Sequence, residues 1–386
     1  MRAFLLLIAV LIGYGSLYPL HFAADPHWQQ EAIALFTAPP LRMSRGDLVG
    51  NVLLFAPYGF VAALWRTRTR LALLLLLGAL LALGLQLAQL WVPSRVAALN
   101  DVIANVAGML LGVGAAWLAR RFAPSVVRHP IGHAAQTALP RALVPATLML
   151  LWLAYQWFPL VPTLDLQNMI NAVKPLLRSP QLDTVRALHT ALAWLAFFML
   201  WGLATPRRVP ALIMAAVALF VVGLKLVIAG ASISPSNLLG LGLAIVCLPW
   251  LQHRGALPLL SMAMFASLFA SGLTPFAPLS QAQPFHWIPF YGMLEGSMGL
   301  NLLSLVEKCF FYGALIALIS ARGGRPLAAA VAVAICLAMI EAAQMFLPQR
   351  TAESTDPILA LILGFVIGLG APRRQPLRAP AAKATR

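Results

Sequence analysis

The sequence predicts an all-α fold, a polytopic integral membrane helical bundle with about 12 transmembrane helices. Hydrophobic residues make up 61% of the 386 residues and charged residues only 10%, whereas a soluble domain has about 25% charged residues. Apolar runs long enough to cross a bilayer, about 17–25 residues each, recur along the whole chain. A polar segment near residue 90 returns near residue 345, which indicates that the helices are arranged as repeats.

The apolar runs set the expected spans, with bounds of 3–20, 47–65, 71–92, 101–119, 142–162, 184–204, 210–230, 236–251, 258–275, 299–320, 326–347 and 356–371. The first run resembles a signal peptide, but no A-x-A cleavage site follows it, and we expect it to be retained. Basic residues concentrate in the loops on one side of this series, and none of the 11 acidic residues lies in those loops. The positive-inside rule therefore places both termini in the cytoplasm. We expect the membrane to be a bacterial inner membrane.

The repeated segment reads QLWVPSRVAALND at Gln89–Asp101 and QMFLPQRTAESTD at Gln344–Asp356. Its Gln, Pro, Arg and Asp recur at a single offset of 255 positions, which is 344 minus 89. Each copy ends one apolar run and begins the next. The segment is therefore predicted to form the tight outer turn of a transmembrane hairpin, present twice.

Three parallel four-helix repeats account for this spacing, and their bounds are 1–125, 140–255 and 258–372, followed by a basic cytoplasmic tail at 373–386. The first helix of each repeat ends alike, in YGSLYPL, YQWFPL and SGLTPF. The middle unit is predicted to be a degenerate copy, in which Lys225 takes the position of Gln89. Each unit has an even number of spans, so all three keep one orientation, and an inverted repeat of the transporter kind is not supported.

The motifs of the first unit resemble those of the VanZ-like family. They are NVLLFAPYGF at 51–60, Q-x-x-Q-x-x-x-P-x-R from Gln86 to Arg95, and D-x-x-x-N-x-x-G-x-x-x-G from Asp101 to Gly112. WIPF at 287–290, NLLSL at 301–305, E-x-x-Q-x-x-x-P-x-R from Glu341 to Arg350, and Asp356 are similar to the same pattern. The resemblance covers the first and third units well and the second only faintly.

This resemblance implies an integral membrane protein linked to glycopeptide (teicoplanin) resistance and to gene clusters for cell-envelope glycans, including exopolysaccharide. The two units also depart from the pattern. Gln86 stands where the family usually has Glu, and Ala360 stands where the first unit has Asn105. Neither unit alone therefore carries the full set of motif residues.

Nine polar residues of the two motifs are the candidate ligand-binding residues: Gln86, Gln89, Arg95, Asp101, Asn105, Glu341, Gln344, Arg350 and Asp356. An arginine fork can grip a phosphate or carboxylate with two hydrogen bonds. The alternative is structural. The aspartates would cap helix N-termini, each Arg would pair with the Asp six residues later, and the asparagines and G-x-x-x-G pairs would hold helices together.

Three further charges, Lys225, Glu307 and Lys308, fall inside predicted spans. Charges within a membrane are costly and are expected to face one another or a hydrated cavity. The structural alternative is an internal set of ion pairs, in which Lys308 or Lys225 binds Glu307 or Glu341 and only holds helices together.

The sequence contains no G-x-S-x-G, H-E-x-x-H or Walker motif, so catalytic residues stay unknown, and no metal or cofactor is expected. Basic residues are spread over loops, and nucleic acid is not an expected partner. Three functions remain open. The protein binds or moves an amphiphilic envelope molecule, such as a lipid-linked glycan or glycopeptide, at the outer leaflet of the lipid bilayer; it is an intramembrane enzyme with Glu341 as acid or base; or it is a scaffold for envelope assembly. The oligomeric state is open as well.

Overall fold

In the computed structural model the chain is all-helical over the described residues, which are 2–23, 27–37, 45–64, 68–122, 142–178, 180–205, 209–253, 255–292 and 298–370. The helices are α1 (Arg2–Leu17), α2 (Trp28–Thr37), α3 (Arg45–Ala63), α4 (Arg68–Gln89), α5 (Leu99–Phe122), α6 (Leu143–Gln156), α7 (Leu166–Leu177), α8 (Thr184–Ala204), α9 (Ala211–Gly223), α10 (Pro235–Cys247), α11 (Ala256–Leu273), α12 (Met298–Ala321), α13 (Pro326–Gln344) and α14 (Thr355–Gly370). Short 3₁₀ segments extend α9 to Val227 and α10 to Gln252. The predicted basic tail at 373–386 lies outside the described residues.

Seven of these helices are long and apolar enough to cross a membrane: α3, α4, α5, α8, α11, α12 and α13. The shorter apolar helices α1, α6, α9, α10 and α14 stand at the other predicted spans. The protein is therefore a helical membrane protein, and the predicted all-α class is confirmed. The number of helices that cross the bilayer and the division into three repeats stay predictions.

Two helices, α2 and α7, are absent from the predicted spans. They have 10 and 12 residues, which is too short for a crossing, and both mix polar with apolar residues. Asp165 caps α7 by accepting the Gln167 N–H at 3.1 Å. Asn168 fixes this helix by donating to the carbonyl oxygens of Leu226 and Ile228 at 3.3 and 3.2 Å.

The helices bury two hydrophobic clusters. One is built from α1, α3, α4 and α5, and the other extends from α6 to α14. Helix α5 lies against the backbone of α3 through Gly108 and Gly112, since a Cβ atom on Gly112 would lie 2.0 Å from the Ala56 carbonyl oxygen. Such close contact through small residues is how membrane helices associate. The predicted packing role of this G-x-x-x-G pair is confirmed.

One turn recurs at the ends of α1, α6 and α11, the three helix ends that are alike in sequence. Leu20, Leu160 and Phe276 have positive φ values of 64°, 65° and 57°. Their N–H groups donate to the carbonyl oxygens three residues earlier, at 2.8, 2.6 and 2.8 Å. The local structure therefore repeats where the sequence does.

Candidate functional site

A cavity of about 440 Å³ is lined by residues of α8, α11, α12, α13 and α14 and of the segment between α13 and α14. This volume falls within the range of about 300–1,000 Å³ that is typical of ligand sites. Its acidic, basic and histidine side chains are Asp183, Arg186, His189, Glu307, Lys308, Glu341, Arg350, Glu353 and Asp356. The cavity therefore joins motif residues of the predicted third unit to the start of α8 in the predicted second unit.

Helix α12 contributes one stripe of side chains to the cavity, and all of them except Phe311 are polar: Ser304, Glu307, Lys308, Phe311 and Tyr312. Spacings of three and four residues place these side chains on one helix face. The Lys308 Nζ atom lies 2.6 Å from the Asp356 Oδ1 atom, and the Tyr312 hydroxyl donates to Oδ2 of the same carboxylate at 2.7 Å. Both oxygens of Asp356, which is only 7% exposed, therefore have a partner from α12.

Helix α8 faces α12 across a second ion pair. Asp183 caps α8 by accepting the Arg186 N–H at 3.0 Å. The guanidinium group of Arg186 lies 3.5 Å from the Glu307 carboxylate and also donates to the Tyr155 hydroxyl. This network links the start of α8 to α6 and α12.

His189 lies in the second turn of α8, on the same side as Arg186. Its Nδ1 atom is 3.0 Å from the Ser267 hydroxyl, and its Nε2 atom is 3.9 Å from the Glu307 carboxylate. The imidazole ring stacks on Phe311 with centroids 4.1 Å apart. These contacts fix the ring in the cavity wall.

The end of α13 holds the following segment and α11 in place. The Glu341 carboxylate accepts the Glu353 N–H at 2.8 Å, and the Gln344 amide donates to the Gly272 carbonyl oxygen at 2.9 Å. The side chain of Arg350 donates to the carbonyl oxygens of Ser271 and Thr274 at 2.8–3.1 Å. Arg350 therefore caps the C-terminus of α11, where carbonyl groups lack helical partners.

The first copy of the motif makes corresponding bonds. The Gln86 amide oxygen accepts the Ala98 N–H at 2.8 Å, and the Gln89 amide donates to the Ser16 carbonyl oxygen at 2.8 Å. Arg95 donates to the carbonyl oxygens of Tyr18 and Gly15 at 2.9 and 3.5 Å, and so caps α1.

Comparison with family models gives a match over the part of the chain that contains this first copy. Residues 3–120 match the VanZ/LLP1 family. The N-terminal third of the chain is VanZ-like. Comparisons with curated proteins and with solved structures give no match. The matched residues include α1, α3, α4 and α5, and the family resemblance predicted from the motifs is confirmed for this segment.

The VanZ-like segment has no counterpart of the Lys308 ammonium group that binds Asp356. In this segment the Asp101 carboxylate lies 3.5 Å from the Gln86 amide nitrogen. Asn105, one turn further along α5, is only 3% exposed, and its side-chain oxygen has no hydrogen-bond partner among the described residues. The two copies therefore share their backbone-fixing bonds and differ in charge.

In the part of the chain that the structure describes, the predicted pairing of each Arg with the Asp six residues later does not form as an ion pair within 4 Å. Arg95 and Arg350 bind carbonyl oxygens at the ends of α1 and α11 instead, because helix C-termini leave these acceptors unpaired. Asp101 and Asp356 lie in the first turns of α5 and α14 as predicted, but the Asp356 carboxylate binds Lys308 and not its own helix N-terminus.

The predicted set of ion pairs inside the membrane is also corrected. Lys308 binds Asp356, and Glu307 binds Arg186. Glu307 and Lys308 are neighbours in sequence and therefore point about 100° apart on the helix. Lys225 is buried in the 3₁₀ segment after α9 and forms no ion pair with any residue that the structure describes.

Four cavity residues were missed in the sequence: Arg186, His189, Tyr312 and Glu353. Two signals were available. Asp183, Arg186 and His189 follow at intervals of three residues, and Tyr312 follows Lys308 at an interval of four, so each set shares a helix face. Glu353 carries no such signal, because it lies in an irregular segment.

Removing the Arg350 side chain is expected to lower the free energy of unfolding by about 2 kcal/mol, since hydrogen bonds from a charged donor contribute roughly 1.5–3 kcal/mol. The change is Arg350→Ala, measured by thermal unfolding of the purified protein in detergent. Arg322→Ala is the control, because Arg322 is exposed and forms no hydrogen bond with a described residue. Equal stability of the two variants would show that Arg350 is not a helix cap.

Proposed function

We propose that the protein binds an amphiphilic molecule of the cell envelope at the outer leaflet of a bacterial inner membrane, without turning it over. The observation that carries this proposal is the two-part lining of the cavity. Leu268, Leu337 and Ile340 supply an apolar wall, while charged side chains of α8, α12 and the segment after α13 supply a polar one. An amphiphile has the same division between tail and headgroup.

The VanZ-like segment supports an envelope context, with a lipid-linked glycan or a glycopeptide as the class of ligand. The corresponding hydrogen bonds of the two motif copies support parallel first and third units. The basic residues of the loops support a cytoplasmic position for both termini. In this proposal the hairpin turns of the first and third units lie together on the outer side. The cavity residues of α8, α12 and α13 form the binding site, and Arg350 maintains its wall at the end of α11.

A second candidate is an intramembrane enzyme that uses Glu341 as acid or base. Glu341 lines the cavity and is only 3% exposed, which favours this candidate. Against it, Gln86 makes the corresponding hydrogen bond in the VanZ-like segment, and an amide cannot act as an acid or base at neutral pH. A role for Glu341 in fixing the backbone of Glu353 explains both copies.

Glu341→Gln separates the two candidates. The glutamine keeps an oxygen that accepts the Glu353 N–H, so the variant is expected to fold with unchanged thermal stability and to leave the cellular level of lipid-linked envelope molecules unchanged. Mass spectrometry of lipid extracts from cells that carry the variant measures this level. An enzyme would instead lose turnover of a lipid-linked substrate completely, and its substrate would accumulate in cells that carry the variant.

The binding proposal itself is tested by filling the cavity. Ser304 lines the cavity and is exposed, so Ser304→Trp places an indole ring in this space. Gly202→Trp is the matched control, because a side chain added at Gly202 meets no atom within 4 Å. We expect native mass spectrometry to detect a co-purified amphiphile on the wild type and the control but not on Ser304→Trp. The same amphiphile on all three proteins would contradict the proposal.

A further inference from the structure

Acidic side chains outnumber basic ones in the lining of the cavity. The carboxylates are Asp183, Glu307, Glu341, Glu353 and Asp356, and the permanently basic side chains are Arg186, Lys308 and Arg350. Charges that face a cavity with apolar walls act on a ligand more strongly than they would in bulk water. The balance of charge therefore bears on which headgroup the cavity accepts.

Each basic side chain of the lining is already engaged by the protein. Arg186 is paired with Glu307 at 3.5 Å, and Lys308 is paired with Asp356 at 2.6 Å. Arg350 donates to carbonyl oxygens at the C-terminus of α11, where the helix dipole supplies negative charge. An anionic headgroup would have to displace one of these contacts to find a cation.

Three carboxylates of the lining have unused hydrogen-bond acceptor positions. Among the described residues, Asp183, Glu341 and Glu353 form no ion pair within 4 Å. Each accepts one backbone N–H, from Arg186, Glu353 and Gly292 respectively. A carboxylate has about four acceptor positions on its two oxygens, so these groups can receive further hydrogen-bond donors. What the cavity lacks is a positively charged donor.

We infer that the headgroup bound in this cavity carries a protonated amine, held by Glu341 and Glu353 together with Asp183. This inference rests on the proposed function, because it names the headgroup of the amphiphile proposed above. An ammonium group supplies three donors and one positive charge. It would extend the pattern set by Lys308, whose ammonium group binds Asp356 in the same cavity. A phosphate headgroup does not fit this surplus of acceptors.

Three amphiphiles that share the same octyl tail and the same glucose ring, and differ at one ring position, test the inference: octyl glucosaminide, octyl N-acetylglucosaminide and octyl glucoside. The first has a free amine, the second an acetylated amine and the third a hydroxyl group at that position. Binding to the whole protein in nanodiscs of phosphatidylcholine is measured by isothermal titration calorimetry, with protein-free nanodiscs as the blank. We expect octyl glucosaminide to bind at least about tenfold more tightly than the other two. Its ammonium group would form charged hydrogen bonds with the carboxylates, and a hydrogen bond with a charged partner contributes a factor of this order.

Two conservative variants locate the effect. Glu341→Gln and Glu353→Gln each keep an oxygen for the backbone N–H and replace one carboxyl group by a neutral amide, and each is expected to weaken the preference for the amine about tenfold. Glu31→Gln, on the exposed surface of α2, removes a carboxylate that does not line the cavity and is expected to leave the preference unchanged.

The outcomes separate this inference from the proposed function. Equal binding of the three amphiphiles, lost in Ser304→Trp, would overturn the amine and keep an amphiphile site. A preference for the amine that survives both Gln variants would place the charge effect elsewhere and overturn the inference. No binding of any of the three, together with no co-purified amphiphile on the wild type, would overturn the proposed function as well.

Discussion

Replacing Lys308 by methionine is expected to lower the free energy of unfolding by about 2–3 kcal/mol. Removing one partner of a buried ion pair costs roughly 3–5 kcal/mol, because the other charge is left without compensation. The expected loss is smaller here since 34% of the Lys308 side chain is exposed, whereas only 10% of the Asp356 side chain is. Unfolding of the purified protein by heat in detergent measures the change.

A double variant provides the control for this prediction. Asp356→Asn removes the charge that Lys308 neutralises and keeps an acceptor for the Tyr312 hydroxyl, which donates to Asp356 at 2.7 Å. Lys308→Met combined with Asp356→Asn is therefore expected to be more stable than Lys308→Met alone. A double variant that loses the full sum of the two single losses would show that the two residues do not interact.

The second large effect is expected where α5 meets α3. Gly112→Ala would place a Cβ atom 2.0 Å from the Ala56 carbonyl oxygen and 2.7 Å from the Phe60 nitrogen. Both atoms belong to the backbone of α3, so neither can move without separating the helices. Overpacking typically costs about 1–3 kcal/mol, and rigid backbone neighbours put this case at the upper end. Thermal unfolding of the purified variant measures the loss.

Gly114→Ala is the matched control on the same helix. A Cβ atom at Gly114 meets nothing within 4 Å, and alanine forms helix more readily than glycine by about 1 kcal/mol. This variant is expected to be as stable as the wild type or slightly more stable. If both alanine variants behaved alike, the close contact between α3 and α5 would not contribute to stability.

Much of the helical framework follows from the sequence, because long apolar runs have few alternatives in a membrane. The bounds predicted for the span at 184–204 match α8 (Thr184–Ala204). The prediction was less accurate at 142–162, since α6 ends at Gln156. The apolar residues that follow Gln156 include Pro159 and Pro162, and proline has no N–H for a helical hydrogen bond. A hydropathy pattern does not reveal the missing N–H, so it overestimates the length of this helix.

The candidate site was predictable only in part. Repetition of the motif identified Glu341, Gln344, Arg350 and Asp356, which the structure brings together at one cavity. Repetition could not identify Arg186, because it belongs to a different helix pair and reaches the cavity only through tertiary packing. The partner of Lys308 could not be predicted either, since a long flexible side chain can reach carboxylates on several neighbouring helices.

The central claim is that the cavity between α8, α12 and α13 holds the headgroup of an amphiphile. Electron cryomicroscopy of the whole protein in nanodiscs with octyl glucosaminide tests it most directly. The account predicts density for the sugar ring in this cavity, with its amine within hydrogen-bond distance of the Glu341 and Glu353 carboxylates. Density for the amphiphile at another surface, with only protein side chains or water in the cavity, would contradict it.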